Sequence, residues 1–169
     1  MASILKRAGI FLLMAIWTLT AATASHAAAR VVPFSGYTPG TIVVKTHDRR
    51  LFYVLAGNRA LMFPVGVGRA GMQWTGLAHI DGKYVKPSWR APPSINHGGW
   101  GPVIPGGSPR NPMGIAAMTV RDGVYAIHGT NNPSSVGRFI SHGCIRMYNR
   151  DIAQLFPLVS VGAPVYVER

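Results

Sequence analysis

Glycine and proline interrupt this chain so often that only short, sheet-forming segments fit between them. The 169 residues include 20 Gly and 13 Pro, about one residue in five, with no fixed period. That density is too high for a helical bundle and too irregular for collagen. Hydrophobic residues make up 48% of the chain and charged residues 13%, which excludes intrinsic disorder. We therefore expect a loop-rich, mainly β domain with its own core.

Short β-branched or apolar runs between turn residues predict the strands of that domain. The expected strands are Thr41–Thr46, Arg50–Ala56, Ala60–Val67, Gly76–Ile80, Lys83–Val85, Met118–Val120, Val124–Ile127 and Ala163–Glu168. Residues that favour tight hairpins connect three pairs of them, at Gly57-Asn58, Asp81-Gly82 and Arg121-Asp122-Gly123. Residues 94–110 hold five Gly and three Pro, so we expect a long loop there without regular structure.

One helix is predicted, beginning near Asn149 and ending at Pro157. Asn149 is a suitable N-cap and Asp151 complements the helix dipole. Ile152, Leu155 and Phe156 form an apolar stripe. The predicted fold class is mainly β: a single β-sandwich or barrel-like domain with one short C-terminal helix.

The first 27 residues have the composition of a secretory signal peptide. Lys6 and Arg7 give a positive start, and an uncharged, mostly apolar run follows over Ala8–Ala22. This run is shorter than the roughly 20 residues that a spanning helix needs, although an uncleaved anchor is the alternative. We divide the chain into a signal peptide (1–27), an extended lead-in (28–40) and a folded domain (41–169). The expected location is the periplasm or cell envelope.

The chain is strongly basic, with 17 Lys and Arg against 5 Asp and Glu, a formal net charge of +12. Removal of a signal peptide carrying Lys6 and Arg7 would leave +10. Such a field favours an anionic partner. For an exported protein, the anionic polymer of the cell envelope is a more natural partner than nucleic acid. We expect a monomer.

Cys144 is the only cysteine, so neither an internal disulfide nor a Cys-rich zinc cluster is possible. In an exported protein a lone cysteine is half of an intermolecular disulfide, a reactive thiol or a small buried hydrophobe. A reactive thiol needs a base within reach and donors for the oxyanion that it creates.

Two histidines lie near Cys144 in the sequence. His142 precedes it by two residues and His128 by sixteen. A neighbouring imidazolium lowers the pKa of a thiol and favours the thiolate, but spacing alone does not choose between the two rings. A metal site built from both histidines and Cys144 is disfavoured, because a zinc-held thiolate is a poor free nucleophile. We expect no metal and no cofactor.

Several motifs resemble one family, the L,D-transpeptidases of the YkuD (ErfK/YbiS) type. They are His128-Gly129-Thr130-Asn131, Ser141-His142-Gly143-Cys144-Ile145-Arg146-Met147 with Asn149 and Asp151 after it, and the upstream Asn111-Pro112-Met113-Gly114. The resemblance covers about Thr41–Val167. It implies an enzyme of the cell envelope that acts on peptidoglycan stem peptides, in which a cysteine attacks the carbonyl before the terminal D-alanine of a tetrapeptide, expels that residue and passes the acyl group to an amine.

By position, the resemblance implies that Cys144 is the nucleophile and His128 the general base and acid, oriented by the carbonyl of Gly129. The acceptor would be a second stem peptide or a wall-attached lipoprotein.

The same resemblance implies that backbone N–H groups of His142, Gly143 and Cys144 form the oxyanion hole. Arg146 would contact a substrate carboxylate. Ser141 is a candidate for substrate binding as well, although we expect it mainly to hold the loop by hydrogen bonds.

Two positions depart from the family pattern. Trp74-Thr75-Gly76 stands where a Thr-Pro-x-Gly element is common, and Ser134 stands where Trp is frequent.

Two other functions stay open, and a third is disfavoured. A hydrolase or amidase of the same family would pass the thioester to water. A non-catalytic wall-binding module would rely on charge and the 94–110 loop. A sortase-like enzyme would need a Thr-Cys signature, which is absent.

Overall fold

Our computed structural model of the protein describes residues 29–169, so the predicted signal peptide lies outside the described residues. Within that range the strands are β1 (Arg30–Pro33), β2 (Ile42–Lys45), β3 (Arg50–Leu55), β4 (Arg59–Pro64), β5 (Val67–Gly68), β6 (Gly76–Val85), β7 (Ala116–Val120), β8 (Tyr125–His128), β9 (Phe139–Ser141), β10 (Ile145–Arg146) and β11 (Pro164–Glu168). The α-helices are α1 (Pro93–Asn96) and α2 (Asn149–Leu155), and Pro133–Ser135 and Phe156–Leu158 form single 3-10 turns.

One large sheet dominates the fold, with the order β1-β4-β3-β2-β11-β6-β7-β8-β10. Neighbours are antiparallel except β2 with β11 and β8 with β10, and β5 pairs separately with β9 in parallel. Beyond β10, Gly66 and Arg146 exchange two backbone hydrogen bonds of 2.8 Å each. Since Gly66 follows β4 from the other half of the sheet, this bridge curls the sheet toward a barrel. The predicted mainly β, barrel-like fold class is confirmed.

Apolar side chains from the sheet and from α2 fill the interior. Strand β6 shows the expected alternation, with Ala78 and Ile80 buried and their neighbours exposed. Ile152 and Leu155 of α2 are fully buried and close the core from one end. Each such side chain contributes roughly 1.5–3 kcal/mol to the free energy of folding, so α2 is an integral part of the domain.

The predicted hairpin at Asp81-Gly82 is wrong. Strand β6 runs straight through these residues, and its register against β7 shifts between Ile80 and Gly82, which marks a β-bulge. A bulge accommodates the same turn-prone residues without reversing the chain. The Asp81 carboxylate accepts hydrogen bonds from the Thr119 hydroxyl and from the Gly123 N–H, so it fixes the true hairpin between β7 and β8.

The segments flanking the domain core are more ordered than expected. Residues 30–33 of the predicted lead-in form β1, paired with β4. The predicted strand Ala60–Val67 is divided, because β4 ends at Pro64 and β5 begins at Val67.

No helix within residues 29–169 is long and apolar enough to cross a membrane.

The glycine- and proline-rich loop is anchored by a buried side chain. It includes the one-turn helix α1 and an antiparallel bridge between Trp89 and Ile104, so it is not wholly irregular. Asn111 is 1% exposed, and its amide donates to the carbonyls of Pro87 (2.8 Å), Pro105 (3.1 Å) and Ile104 (3.3 Å). These bonds hold Pro87, which precedes the loop, close to Ile104 and Pro105 within it.

Candidate active site

The ends of two parallel strands bring the candidate residues together. Strand β8 ends at His128, and β10 begins just after Cys144, with Ile145 opposite Ile127 and Arg146 opposite His128. Side chains two residues apart on an extended segment share a face. Cys144, Arg146 and His128 therefore lie on one face of the sheet edge.

His128 is buried, with 3% of its surface exposed. Its Nδ1 lies 2.5 Å from the carbonyl oxygen of Gly129. Because a carbonyl can only accept, Nδ1 carries the proton of the neutral ring and Nε2 keeps a free lone pair. Burial lowers the pKa of His128 to about 4, helped by the charge of Arg146 and opposed by the carbonyls of Gly129 and Pro112. The ring is neutral at pH 7.

Cys144 is partly exposed. Burial raises the pKa of its thiol above the ordinary value, although a backbone hydrogen bond from Ala126 and the charge of Arg146 act in the opposite direction. Burial therefore favours the neutral form of both groups in the resting site, a thiol at Cys144 and an imidazole at His128.

A tight turn over Ser141–Cys144 presents the thiol. The Ser141 hydroxyl donates to the Cys144 carbonyl at 2.6 Å and accepts from the Gly143 N–H at 3.1 Å. Ser141 is 1% exposed, and its hydroxyl makes both of these bonds within the turn. Its role in substrate binding stays a prediction. The Gly143 N–H is likewise engaged inside the turn rather than open to an oxyanion. The backbone of His142 and Cys144 carries the remaining predicted donors.

Gly143 adopts a conformation that other residues rarely reach, with φ at +122°. A Cβ placed there would stand 2.3 Å from the ring of Tyr125. The turn therefore requires glycine both for its backbone angle and for its close approach to an aromatic ring.

Basic side chains surround the turn. Arg69, whose backbone N–H donates to the Ser141 carbonyl at 3.0 Å, lies on one side and Arg146 on the other. Burial lowers the pKa of His142, as do the charges of Arg69, Arg146 and His97, which places the loop residue His97 near the site as well. Within residues 29–169, Nε of Arg146 is buried without a hydrogen-bond partner. We call the two arginines of this group, Arg69 and Arg146, the basic rim; their charges suit an anionic ligand.

Asn149 is a site-building residue whose role the sequence analysis missed. It is not the N-cap, since Tyr148 occupies that position without a side-chain bond. Its Oδ1 instead accepts the N–H of Thr130 at 3.0 Å and that of Ile115 at 3.4 Å. A Cβ on Gly129 would meet the same oxygen at 2.3 Å. Asn149 thus fixes the segment that follows His128. The sequence does not show this role, because Thr130 lies 19 residues before Asn149 and meets it only in the folded chain.

Sequence comparison identifies the family. A model of the YkuD family, the L,D-transpeptidase catalytic domain, matches residues 39–167. Two Escherichia coli K12 proteins named as probable L,D-transpeptidases are similar to this chain. YbiS is 36% identical over 136 residues, covering 73% of this chain and 43% of YbiS, and YcfS is 32% identical over 137 residues, covering 75% of this chain and 43% of YcfS.

Solved structures agree on the fold. The catalytic domain of an Enterococcus faecium L,D-transpeptidase superposes with a TM-score of 0.60 at 21% identity, covering 78% of this chain and 99% of that one. A Mycobacterium smegmatis L,D-transpeptidase gives 0.59 at 21% identity, covering 76% of this chain and 58% of that one. The chain belongs to the L,D-transpeptidase family, a family of acyltransferases, and spans less than half the length of the curated relatives YbiS and YcfS.

Replacing Gly143 with alanine should disrupt the turn far more than the same change at Gly137. Both glycines have positive φ, but a Cβ at Gly137 meets nothing within 4 Å, whereas at Gly143 it collides with Tyr125. We expect Gly137→Ala to lose about 1 kcal/mol of stability from backbone strain and Gly143→Ala to lose about 2–3 kcal/mol. Urea unfolding measures both, and equal losses would contradict the packing assigned to Tyr125.

Burial of neutral His128 should make stability depend on pH. Since its folded pKa lies below the unfolded value near 6.5, its contribution is complete above pH 6.5 and is lost as the pH falls toward 4. Between pH 7 and 5 the loss should be about 2 kcal/mol. Urea unfolding should show this slope in the wild type and in His47→Gln, which alters an exposed histidine, but a shallower slope in His128→Gln. An unchanged slope in His128→Gln would contradict the burial argument.

Proposed function

We propose that this protein is a peptidoglycan L,D-transpeptidase in which Cys144 is the nucleophile and His128 the general base and acid. The observation that carries the proposal is the pairing of β8 with β10. It sets the only thiol of the chain on the same face as a buried imidazole whose Nδ1 is held by Gly129. Family membership supports the same reaction class.

In the first step, Nε2 of His128 accepts the thiol proton as the sulfur of Cys144 attacks the carbonyl carbon before the terminal D-alanine. A neutral imidazole is the form that this transfer needs, and the low pKa of His128 supplies it at pH 7. The raised pKa of Cys144 is no obstacle, because the proton leaves as the carbon–sulfur bond forms and no resting thiolate is required.

The tetrahedral intermediate then collapses. The C–N bond breaks, His128 gives its proton to the departing amine of D-alanine, and a thioester remains on Cys144. An amine acceptor attacks that thioester, loses a proton to His128, and the sulfur recovers it as the new amide is released. The backbone N–H of Cys144, with that of His142, would stabilise the oxyanion in both steps.

The acceptor separates the proposed reaction from its alternative. An amine on a second stem peptide gives a cross-link, an amine on a wall-attached lipoprotein gives a protein–wall bond, and water gives hydrolysis. We propose the amine, in line with the transpeptidase family. Action in the cell envelope, after export by residues 1–27, belongs to the same proposal.

The basic rim would recognise the substrate's carboxylates. Arg146 is half-buried beside the thiol, and a guanidinium there suits charge-assisted hydrogen bonds to a carboxylate. Arg69 adds a second guanidinium across the turn. None of the five acidic residues of the chain lies between Asp81 and Asp122. The 94–110 loop falls in this stretch, so it adds no negative charge near the site.

The roles of thiol and base are tested with a soluble muropeptide tetrapeptide and an amine acceptor. Cys144→Ala should release no D-alanine, and His128→Ala should lose about 10²–10⁴ in rate, while His142→Ala loses less because only its backbone takes part. Mass spectrometry of the products reads release and transfer together. Activity retained in Cys144→Ala, or a larger loss in His142→Ala than in His128→Ala, would contradict the assignment.

The role of Arg146 is tested by changing both partners of the proposed ion pair. Arg146→Ala should lower kcat/KM for the tetrapeptide by about 10–100-fold, the value of a hydrogen bond to a charged group. The loss should nearly vanish when the terminal carboxylate of the tetrapeptide is amidated. Arg59→Ala, on the distant β4, is the control and should match the wild type. An equal loss with both peptides would show that Arg146 does not bind that carboxylate.

A further inference from the structure

Trp74 contacts the Ser141–Cys144 turn, although it is not one of the candidate site residues. It lies in the Trp74-Thr75-Gly76 segment, where the sequence departs from the common family element. Its indole Nε1–H donates to the carbonyl oxygen of Gly143 at 3.0 Å. That carbonyl belongs to the peptide unit whose N–H is the amide of Cys144.

Two groups stack on the indole and keep it in place. The ring of Trp74 lies parallel to that of Tyr125, with centroids 5.5 Å apart and planes 12° apart. The guanidinium of Arg121 covers the indole at 4.5 Å and donates to the Thr75 carbonyl at 3.1 Å. Tyr125 in turn occupies the space where Gly143 would carry a Cβ. Such a stack restrains the indole by cation–π and aromatic contacts.

The hydrogen bond has a directional consequence for Cys144. In a planar trans peptide the C=O and the N–H point in opposite directions. Holding the Gly143 oxygen toward Trp74 therefore directs the Cys144 N–H away from Trp74. Gly143, which lacks a side chain and has φ at +122°, gives this peptide unit the freedom to rotate. The indole N–H restricts that rotation.

We propose that Trp74 is a positioning residue for acyl transfer: its indole N–H fixes the Gly143–Cys144 peptide so that the Cys144 N–H faces the developing oxyanion. This inference rests on the proposed function. It assigns a chemical role to a residue that the family comparison leaves unexplained, and it separates the indole N–H, which orients the peptide, from the indole ring, which packs.

Trp74→Phe tests the N–H, because it keeps an aromatic ring and removes the donor. We expect kcat for D-alanine release to fall about 10-fold or more, below the 10²–10³ of a direct oxyanion donor, with KM nearly unchanged. Alkylation of Cys144 by iodoacetamide should keep its wild-type rate, because that reaction forms no oxyanion. Trp89→Phe, which alters a half-buried indole outside the 94–110 loop, is the matched control and should behave as wild type in both assays.

Two results would overturn the inference. One is wild-type kcat in Trp74→Phe. The other is an equal fall in turnover and alkylation with a lower melting temperature, which is the signature of a packing role alone. A wild-type protein without turnover would instead refute the proposed function. Hydrogen exchange of the Trp74 indole in the wild type then decides the positioning claim, since an unprotected N–H would refute the bond to Gly143.

Discussion

The site depends on the backbone pairing of β10, a strand of only two residues. One edge of it is bonded to β8, where the Met147 N–H reaches the His128 carbonyl at 2.8 Å, and the other edge exchanges two bonds with Gly66. Ile145 between them is buried in the core. Because both edges are satisfied, the residue just before the strand, Cys144, has little freedom relative to His128. The bridge between Gly66 and Arg146 that curls the sheet therefore also fixes the position of the site.

Burial determines the electrostatics of that site. A low-dielectric environment disfavours both the imidazolium and the thiolate, so both groups are neutral at rest. In the reaction that we propose, charge would appear only during attack. The Gly129 carbonyl already faces the ring that would become positive, and backbone N–H groups of the Ser141–Cys144 turn would face the oxygen that becomes negative. Arg146 adds a positive charge beside the thiol.

Local sequence signals predicted the β class, the hairpin at Arg121-Asp122-Gly123 and α2, because turn residues and apolar spacing act within a few residues. They failed where a long-range contact decided the outcome. Asp81-Gly82 forms a bulge because β7 continues to pair across it, and Asn149 serves Thr130 rather than its own helix. The motif located the thiol and the imidazole, but their protonation follows from burial, which no short motif encodes.

Mass spectrometry of the acyl-enzyme tests the central claim most directly. The wild-type protein is mixed with tetrapeptide muropeptide without an amine acceptor, quenched in acid within seconds, and digested. If Cys144 is the nucleophile, a tripeptide-acyl adduct forms on the peptide that contains Cys144, together with free D-alanine, and the adduct is removed when an amine is added. Release of D-alanine with no adduct at Cys144, or an adduct that an amine does not discharge, would contradict it.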